Sequence, residues 1–260
     1  MEQFEGEAVA GSYKDVLSRI AKPAFSPRAA IVLFARGVGQ EEFLESWQQL
    51  FPRLPVVGGA AARSNGADAG DVLPLAADVA VLLICKGTWA TETLNLHELS
   101  GTEWQFQAEG PRTIARLRPA KSGEWQPAAT AFRSQQTACG RNAEDCESIT
   151  ISDRDGRNLH VSISGDELHV GANLPAEGGL FFRAVHPAAV ARKFQDFCAH
   201  PDTLVCGCAG LRSLIKEPLI LPRNTLAGFL FGEVVTVAGQ PRFGNLMAAR
   251  LRRLELPKSD

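Results

Sequence analysis

The stretch Val56-Val57-Gly58-Gly59-Ala60-Ala61-Ala62-Arg63-Ser64 returns 149 positions later as Val205-Cys206-Gly207-Cys208-Ala209-Gly210-Leu211-Arg212-Ser213. An ungapped alignment of residues 29–64 with residues 178–213 contains seven identities, and six of them fall in its last thirteen positions. Self-similarity at a fixed offset indicates units built on one plan. We therefore expect two related halves, each too small to bury its own apolar face.

The first half has the pattern of a strand–helix–strand unit. Residues 29–35 form a short, continuous apolar run, which is typical of a strand covered on both faces. Phe43, Leu44 and Trp47 then recur at helical spacing. A second strand follows and ends in the glycine turn with its Arg-Ser pair, and residues 79–85 predict a third strand.

The second half repeats this order. Residues 180–185 predict a strand, Val190, Phe194 and Phe197 mark one face of a helix, and the second glycine turn follows. A further strand is expected at residues 226–231. We expect Gly58 and Gly207 to occupy equivalent turns.

The region between the halves consists of two parts with different sequence patterns. Residues 98–148 are polar with scattered aromatic residues, and we expect irregular strands and loops there. Residues 149–170 alternate between polar and apolar side chains, and they contain the turn signals Asp153-Arg154-Asp155-Gly156 and Gly165-Asp166. This pattern predicts a β-meander that joins the halves.

Taken together, these patterns predict an α/β (α+β) fold with two related strand–helix–strand halves. Their sheets are expected to pack together, joined by the β-meander and flanked by helices. The expected boundaries are an amino-terminal half at residues 1–100, an irregular connecting region at residues 101–148 and a carboxy-terminal half at residues 149–260.

Composition excludes some classes of function. The chain has 260 residues, 45% of them hydrophobic and 22% charged, which is enough to bury a substantial core. A formal net charge of -2 does not indicate a basic surface of the kind that binds nucleic acid, so we expect no nucleic-acid partner. Neither a signal peptide nor an apolar stretch long enough to span a bilayer is evident, so we expect no membrane partner and a cytoplasmic location.

Six cysteines in a chain without an export signal are expected to be reduced thiols. Cys139 and Cys146 flank a polar stretch that is expected to be an exposed loop, where thiols could pair. The cluster Cys198-x-His200-x5-Cys206-x-Cys208 holds four candidate metal ligands, but its spacing fits no zinc motif. We expect buried small side chains there and no bound metal.

Motifs for catalysis are largely missing from the sequence. Gly37-Val38-Gly39 follows a strand, but the third glycine of a dinucleotide fingerprint would fall at Glu42. The chain contains no phosphate-loop lysine, no Gly-x-Ser-x-Gly and no His-Glu-x-x-His. None of the five histidines has a visible catalytic partner in the sequence. The sequence therefore leaves open whether the protein is an enzyme, and it favours a non-enzymatic role.

Several short motifs follow one another along the chain in an order that is typical of one known protein family. Residues 55–61 and the strand at 79–85 are similar to the amino-terminal FIST domain. The carboxy-terminal FIST domain is matched by residues 174–178, 204–210 and 228–234 and by Phe243-Gly244-Asn245. The resemblance covers most of the chain and implies a short, stand-alone member. It implies a sensory domain in signal transduction that binds a small ligand and works with a signalling partner. Some members of the family imply an alternative function, a gas sensor that binds haem as its cofactor; otherwise no cofactor is expected.

Physical chemistry suggests how the repeated turn could bind a ligand. Glycine lets the backbone approach a ligand closely and exposes its amides, and an arginine a few residues later can make a forked contact with a carboxylate. Glu233 is the glutamate of the Gly-Glu pair within the motif that resembles the FIST family, and its carboxylate could bind an amino group of the ligand. The predicted ligand-binding residues are Gly58, Gly59, Arg63, Ser64, Cys208, Gly210, Arg212, Ser213, Glu233 and Asn245.

Two classes of function stay open at this point. The first is a non-enzymatic sensor that binds a small anionic or zwitterionic metabolite, such as an amino acid, in a cleft holding Arg63, Arg212 and Glu233. The second is a thiol-dependent enzyme or redox protein that uses Cys208, whose pKa a nearby Arg212 would lower. An equally available structural interpretation is that the glycines serve packing and the arginines pair with acidic neighbours.

Overall fold

The computed structural model describes residues 5–35, 39–63, 74–142, 148–175, 178–212, 214–215, 218–230, 232–245 and 247–254. The described helices are α1 (Tyr13–Ile20), α2 (Gln40–Leu50), α3 (Ala128–Asn142), α4 (Pro187–Cys198) and the single turn α5 (Ala209–Arg212). None of them has the length and apolar character that a membrane span requires.

The described strands form three sheets. The first sheet has the order β1-β5-β2-β3-β17-β18, with β4 beside β3; its strands are β1 (Gly6–Gly11), β2 (Ala29–Ala35), β3 (Val56–Arg63), β4 (Pro74–Leu75), β5 (Val79–Ile84), β17 (Glu233–Val237) and β18 (Gln240–Gly244). The second sheet has the order β16-β15-β19-β6; its strands are β6 (Thr88–Asn95), β15 (Thr203–Cys208), β16 (Leu226–Leu230) and β19 (Met247–Leu254).

The third sheet is the largest of those described. It has the order β11-β10-β14-β7-β8-β13-β12, with β9 beside β8; its strands are β7 (Glu98–Gly110), β8 (Thr113–Pro119), β9 (Gln126–Pro127), β10 (Ser148–Asp153), β11 (Asn158–Leu159), β12 (Val161–Ser164), β13 (Glu167–Val170) and β14 (Leu180–Val185).

The first two sheets pack face to face between helices. Alternate residues of β2 explain this arrangement: Ala30, Val32 and Phe34 pack against α1 and α2, whereas Ala29 faces a core shared with Cys206 of the second sheet. The other face of the second sheet is covered by α4. The result is a helix–sheet–sheet–helix sandwich, which buries the apolar run of β2 on both sides.

The third sheet forms a separate layer around α3. Its core contains Trp104, Leu117 and Phe182 from the sheet, together with Ala128 and Phe132 from α3. The α+β class predicted from the sequence is confirmed, as are the packed sheets with flanking helices and the hairpin signals around residues 153–156 and 165–166. The predicted β-meander is wrong, because the two hairpins lie at opposite edges of the third sheet and β11 does not pair with β12.

The predicted structural equivalence of the two halves is wrong, both in how the strands pair and in where the glycines lie. In the first half, β2 and β3 are parallel neighbours within one sheet. In the second half, β14 pairs with β7 and β10 in the third sheet, whereas β15 lies in the second sheet. Gly58 and Gly207 lie inside strands rather than in turns. The order of strand, helix and strand is therefore repeated, but the pairing of the strands is not.

Two further expectations are corrected by the structure. Residues 98–142 are regular, because β7 and β8 form a long antiparallel hairpin and α3 follows it. Cys139 is disulfide-bonded, so the expectation that every cysteine is reduced is wrong for this residue. Cys146 lies outside the described residues.

Candidate functional site

A cleft of about 690 Å³ opens where the sandwich meets the third sheet. Its walls come from α2, the turn between β7 and β8, the turn between β10 and β11, the segment after β13 and the β17–β18 hairpin. The described residues that line it are Glu41, Leu44, Glu45, Gln48, Gln49, Pro111, Asp153, Asp155, Arg157, Asn173, Leu174, Pro175, Val237, Gln240, Pro241, Arg242 and Phe243. Its volume lies within the usual range of small-molecule sites, about 300 to 1,000 Å³.

Helix α2 supplies the longest wall because of how its residues are spaced. Glu41, Leu44 and Gln48 follow one another at intervals of three and four, so they share one face of the helix. Trp47 is fully buried in the core of the sandwich and fixes the rotation of the helix. The helix begins after Gly39, whose φ of 90° lies in the left-handed region that glycine tolerates.

The opposite wall is the tight turn between β10 and β11. The Asp153 carboxylate accepts a hydrogen bond from the backbone N–H of Arg157 at 2.8 Å, and a second from its Nε at 2.8 Å. Gly156 occupies the left-handed position of this turn, with a φ of 86°. The turn therefore holds Arg157 in a single buried position at the floor of the cleft.

Glu41 ties the two walls together through an ionic network. Its carboxylate accepts hydrogen bonds from the Asn173 backbone N–H at 3.0 Å and from Arg112 Nη2 at 2.8 Å, and it lies 3.7 Å from Arg157 Nη1. Arg157 Nη2 also donates to the Asn173 carbonyl at 2.7 Å. Two carboxylates, those of Glu41 and Asp153, face two guanidinium groups, so the floor is electrically balanced and rigidly held.

The remaining charges that line the cleft are not balanced in this way. Glu45 on α2 and Asp155 in the β10–β11 turn are exposed, and neither forms an ion pair within the described part of the chain. Arg242 on β18 is also exposed, and its Nη2 donates to the amide oxygen of Gln240 at 2.8 Å. Two negative charges and one positive charge, carried by three different walls, are therefore available to a ligand.

Some of the residues predicted from the sequence do come together, but elsewhere. Gly59 is the register partner of Glu233, and Gly58 is the partner of Val234, where β3 pairs with β17. Glu233 is fully buried, and the Cys208 side chain hydrogen-bonds to its carboxyl group. Gly58, Gly59 and Glu233 therefore lie together within the first sheet, the Cys208–Glu233 hydrogen bond links this sheet to the second, and none of these residues lines the cleft.

Glu233 occupies an unusual environment for a carboxyl group. Burial raises its pKa well above the usual range, and the hydrogen bonds from Cys208 and from the Met247 backbone only partly oppose this effect. The Met247 N–H donates to Oε2 at 3.4 Å, whereas Oε1 has no hydrogen-bond partner among the described residues. The group is therefore held as a neutral acid over a wider pH range than an exposed glutamate.

The other predicted residues are scattered. Arg212, at the end of α5 after Gly210, is exposed, and its Nη1 donates to the Ile215 carbonyl at 3.0 Å. Asn245 follows β18, and its backbone N–H donates to the Asn158 carbonyl at 3.1 Å. Ser64 and Ser213 lie outside the described residues, and so does the side chain of Arg63. A shared site for Arg63, Arg212 and Glu233 therefore stays a prediction.

The buried thiols are poorly suited to nucleophilic chemistry. Burial raises the pKa of Cys198 and of Cys206 to about 12 in each case, so both are protonated at neutral pH. They pack in cores on opposite faces of the second sheet. Within the residues that the structure describes, no group of three or more histidine, cysteine or acidic side chains could hold a metal ion.

The cleft could not be found from the sequence because the charged and polar residues of the network at its floor are single and far apart in the chain. Glu41, Arg112, Arg157 and Asn173 belong to four different segments, and none of them stands in a motif. One signal was present: Glu41 shares the apolar stripe of α2 with Leu44, where a carboxylate needs a buried partner.

Comparison with known proteins adds no further assignment. No protein-family model matches the chain, and neither a curated protein nor a solved structure matches it significantly.

Proposed function

We propose that this protein is a non-enzymatic sensory protein that binds a small polar metabolite in the cleft and passes the binding event to a partner protein. The observation that carries the proposal is the cleft itself, with a balanced ionic floor and three uncompensated charges on its walls. Binding sites of this kind combine a pre-formed concave surface with a few placed polar groups. The resemblance of the sequence motifs to the FIST family supports the sensory role.

The position of the cleft suggests how binding could be communicated. Glu41 belongs to the sandwich, whereas Arg157 and Asn173 belong to the third sheet and the segment after it, so the network bridges the two parts. A ligand that contacts both walls would favour one relative arrangement of these parts. A ligand shifts a conformational equilibrium only through such differential contacts.

The proposal is tested by searching for a ligand and then blocking the cleft. Native mass spectrometry of freshly purified protein would detect a retained metabolite, and thermal shifts against a metabolite collection would detect others. Gln48→Trp would place an indole on the half-buried wall of α2, and we expect binding to be lost while the circular dichroism spectrum is kept.

Glu42→Trp is the matched control, because Glu42 is exposed on the same helix and does not line the cleft. The control variant should bind like the parent protein. Equal binding by the Gln48→Trp variant would place the ligand elsewhere, and the absence of any binding metabolite would count against the sensory role.

A further inference from the structure

The charged residues of the cleft that lack an ion-pair partner within the described residues indicate which charges a ligand should carry. The charges of Glu41, Asp153 and Arg157 at the floor are balanced by one another and by Arg112, which contacts Glu41 from outside the cleft lining, so a ligand gains little by contacting the floor. The groups that lack an ion-pair partner within the described residues are Glu45, Asp155 and Arg242. These groups are the ones whose charge a ligand can satisfy.

The uncompensated charges belong to separate walls. Glu45 is on α2, Asp155 is in the β10–β11 turn and Arg242 is on β18. Glu45 is one helical turn beyond Glu41, which belongs to the floor, so Glu45 lies about 6 Å further along α2. A ligand that meets both signs of charge therefore carries a cationic group and an anionic group.

We propose that the cleft binds a zwitterion whose cationic nitrogen faces Glu45 and Asp155 and whose anionic group faces Arg242. This inference rests on the proposed function, because it assumes that the cleft is the ligand site. Arginine suits the anionic end because its planar guanidinium group forms paired hydrogen bonds with a carboxylate. Among the described residues, Arg242 donates through one nitrogen, to the Gln240 amide, so its other donors remain for a ligand.

Three probes with the same four-carbon skeleton isolate the contribution of charge. Succinate carries two negative charges, 4-aminobutyrate carries one of each sign, and 1,4-diaminobutane carries two positive charges. We expect calorimetric titration at low ionic strength to show that 4-aminobutyrate binds most tightly. Tighter binding of either symmetric probe would overturn the proposal, and so would the failure of all three to bind.

Two neutralising variants then assign each end of the probe. Arg242→Gln should weaken 4-aminobutyrate and succinate by about fivefold and leave the diamine unchanged or slightly tighter, as expected for partly exposed ion pairs. Glu45→Gln should weaken 4-aminobutyrate and the diamine by a similar factor and spare succinate. The opposite pattern, or equal effects on all probes, would overturn the assignment.

The controls remove equivalent charges outside the cleft. Glu42→Gln lies on the same helix as Glu45, and Arg223→Gln removes an exposed guanidinium group that does not line the cleft. Both should leave all three affinities unchanged. If a different metabolite binds and the Gln48→Trp variant blocks it, the proposed function stands even where the zwitterion assignment fails.

Discussion

Arg157 and Arg112 both contact Glu41, but they differ in solvent exposure, which decides how much an ion pair contributes to the stability of the fold. The Arg157 side chain is 5% exposed, and it also pairs with Asp153. The Arg112 side chain is 46% exposed. Removing one member of a buried pair leaves an uncompensated charge, whereas a solvated pair is largely replaced by water.

We therefore expect Arg157→Met to lower the free energy of unfolding by about 3 to 5 kcal/mol. The matched variant Arg112→Gln should cost about 1 kcal/mol or less. Urea unfolding followed by circular dichroism would measure both values. Similar losses for the two variants would show that the buried floor of the cleft does not have the rigidity assigned to it.

Glu233 gives a prediction about pH. Its pKa is raised by burial above the ordinary value of 4.5. The carboxyl group therefore stabilises the folded state fully below pH 4.5, and this contribution is lost as the pH rises through the pKa of the folded protein. Between these two limits, the free energy of unfolding should fall by about 1.4 kcal/mol per pH unit because of this one group.

Glu233→Gln keeps the shape of the side chain but cannot ionise. Its melting temperature, measured relative to that of the parent protein between pH 5 and pH 9, should increase as the pH rises and become constant once the pH exceeds the pKa of Glu233 in the folded protein. Glu42→Gln, which neutralises an exposed carboxylate, serves as the control and should show no comparable trend. A constant difference between the Glu233→Gln variant and the parent would mean that Glu233 ionises like a surface residue.

At the level of elements, strand β3 depends on having no side chain at its centre. A Cβ atom on Gly58 would collide with the Val32 carbonyl of β2, and one on Gly59 would collide with the Gly232 carbonyl beside β17. In both cases the obstacle is backbone, so a rotamer change cannot relieve it. The two glycines therefore allow β3 to pair closely on both sides.

Gly58→Ala should accordingly destabilise the protein by roughly 3 kcal/mol or more, because β2 and β3 would have to separate. Gly110→Ala is the comparison, since a Cβ atom there meets nothing within 4 Å. Its effect should stay within about 0.5 kcal/mol. Equal unfolding midpoints in urea for the two variants would show that β3 adjusts without cost.

The elements that were predicted correctly carry their signal in large apolar side chains. β2 and α2 were recognised from Phe34, Phe43 and Trp47, all of which are buried. Helix α3 was missed because much of its buried face is formed by Ala128, Ala129 and Ala131, which leave only a weak periodic pattern. Small side chains pack well against a sheet, but they do not reveal a helix in the sequence.

The pairing of strands could not be predicted from local patterns for a different reason. β14 resembles β2 in composition, yet it joins the third sheet through β7 and β10, which have no counterpart in the first half. Its neighbours are set by long-range contacts rather than by its own residues. The cleft could not be predicted for the same reason, because it depends on long-range contacts that bring the sandwich and the third sheet together.

At the scale of the whole molecule, the layered cores should control the reactivity of the thiols. Cys198, Cys206 and Cys208 are buried in the two cores that flank the second sheet, whereas Cys85 lies at the end of β5 and is partly exposed. Burial also keeps Cys198 and Cys206 protonated at neutral pH, with pKa values of about 12. A thiol must be both accessible and ionised to attack a disulfide reagent.

In native protein at pH 7.5, a small aromatic disulfide reagent should therefore label Cys85 first. Cys198, Cys206 and Cys208 should react only as fast as the layers open, and all of them should react at once in concentrated denaturant. Cys85→Ser should abolish the fast phase, which stopped-flow absorbance would record. If Cys208 were labelled rapidly in the Cys85→Ser variant, its thiol would have to be accessible and ionised in the folded state. That result would favour a thiol-dependent activity over ligand sensing, because nothing in a purely structural Cys208–Glu233 contact requires a reactive sulfur.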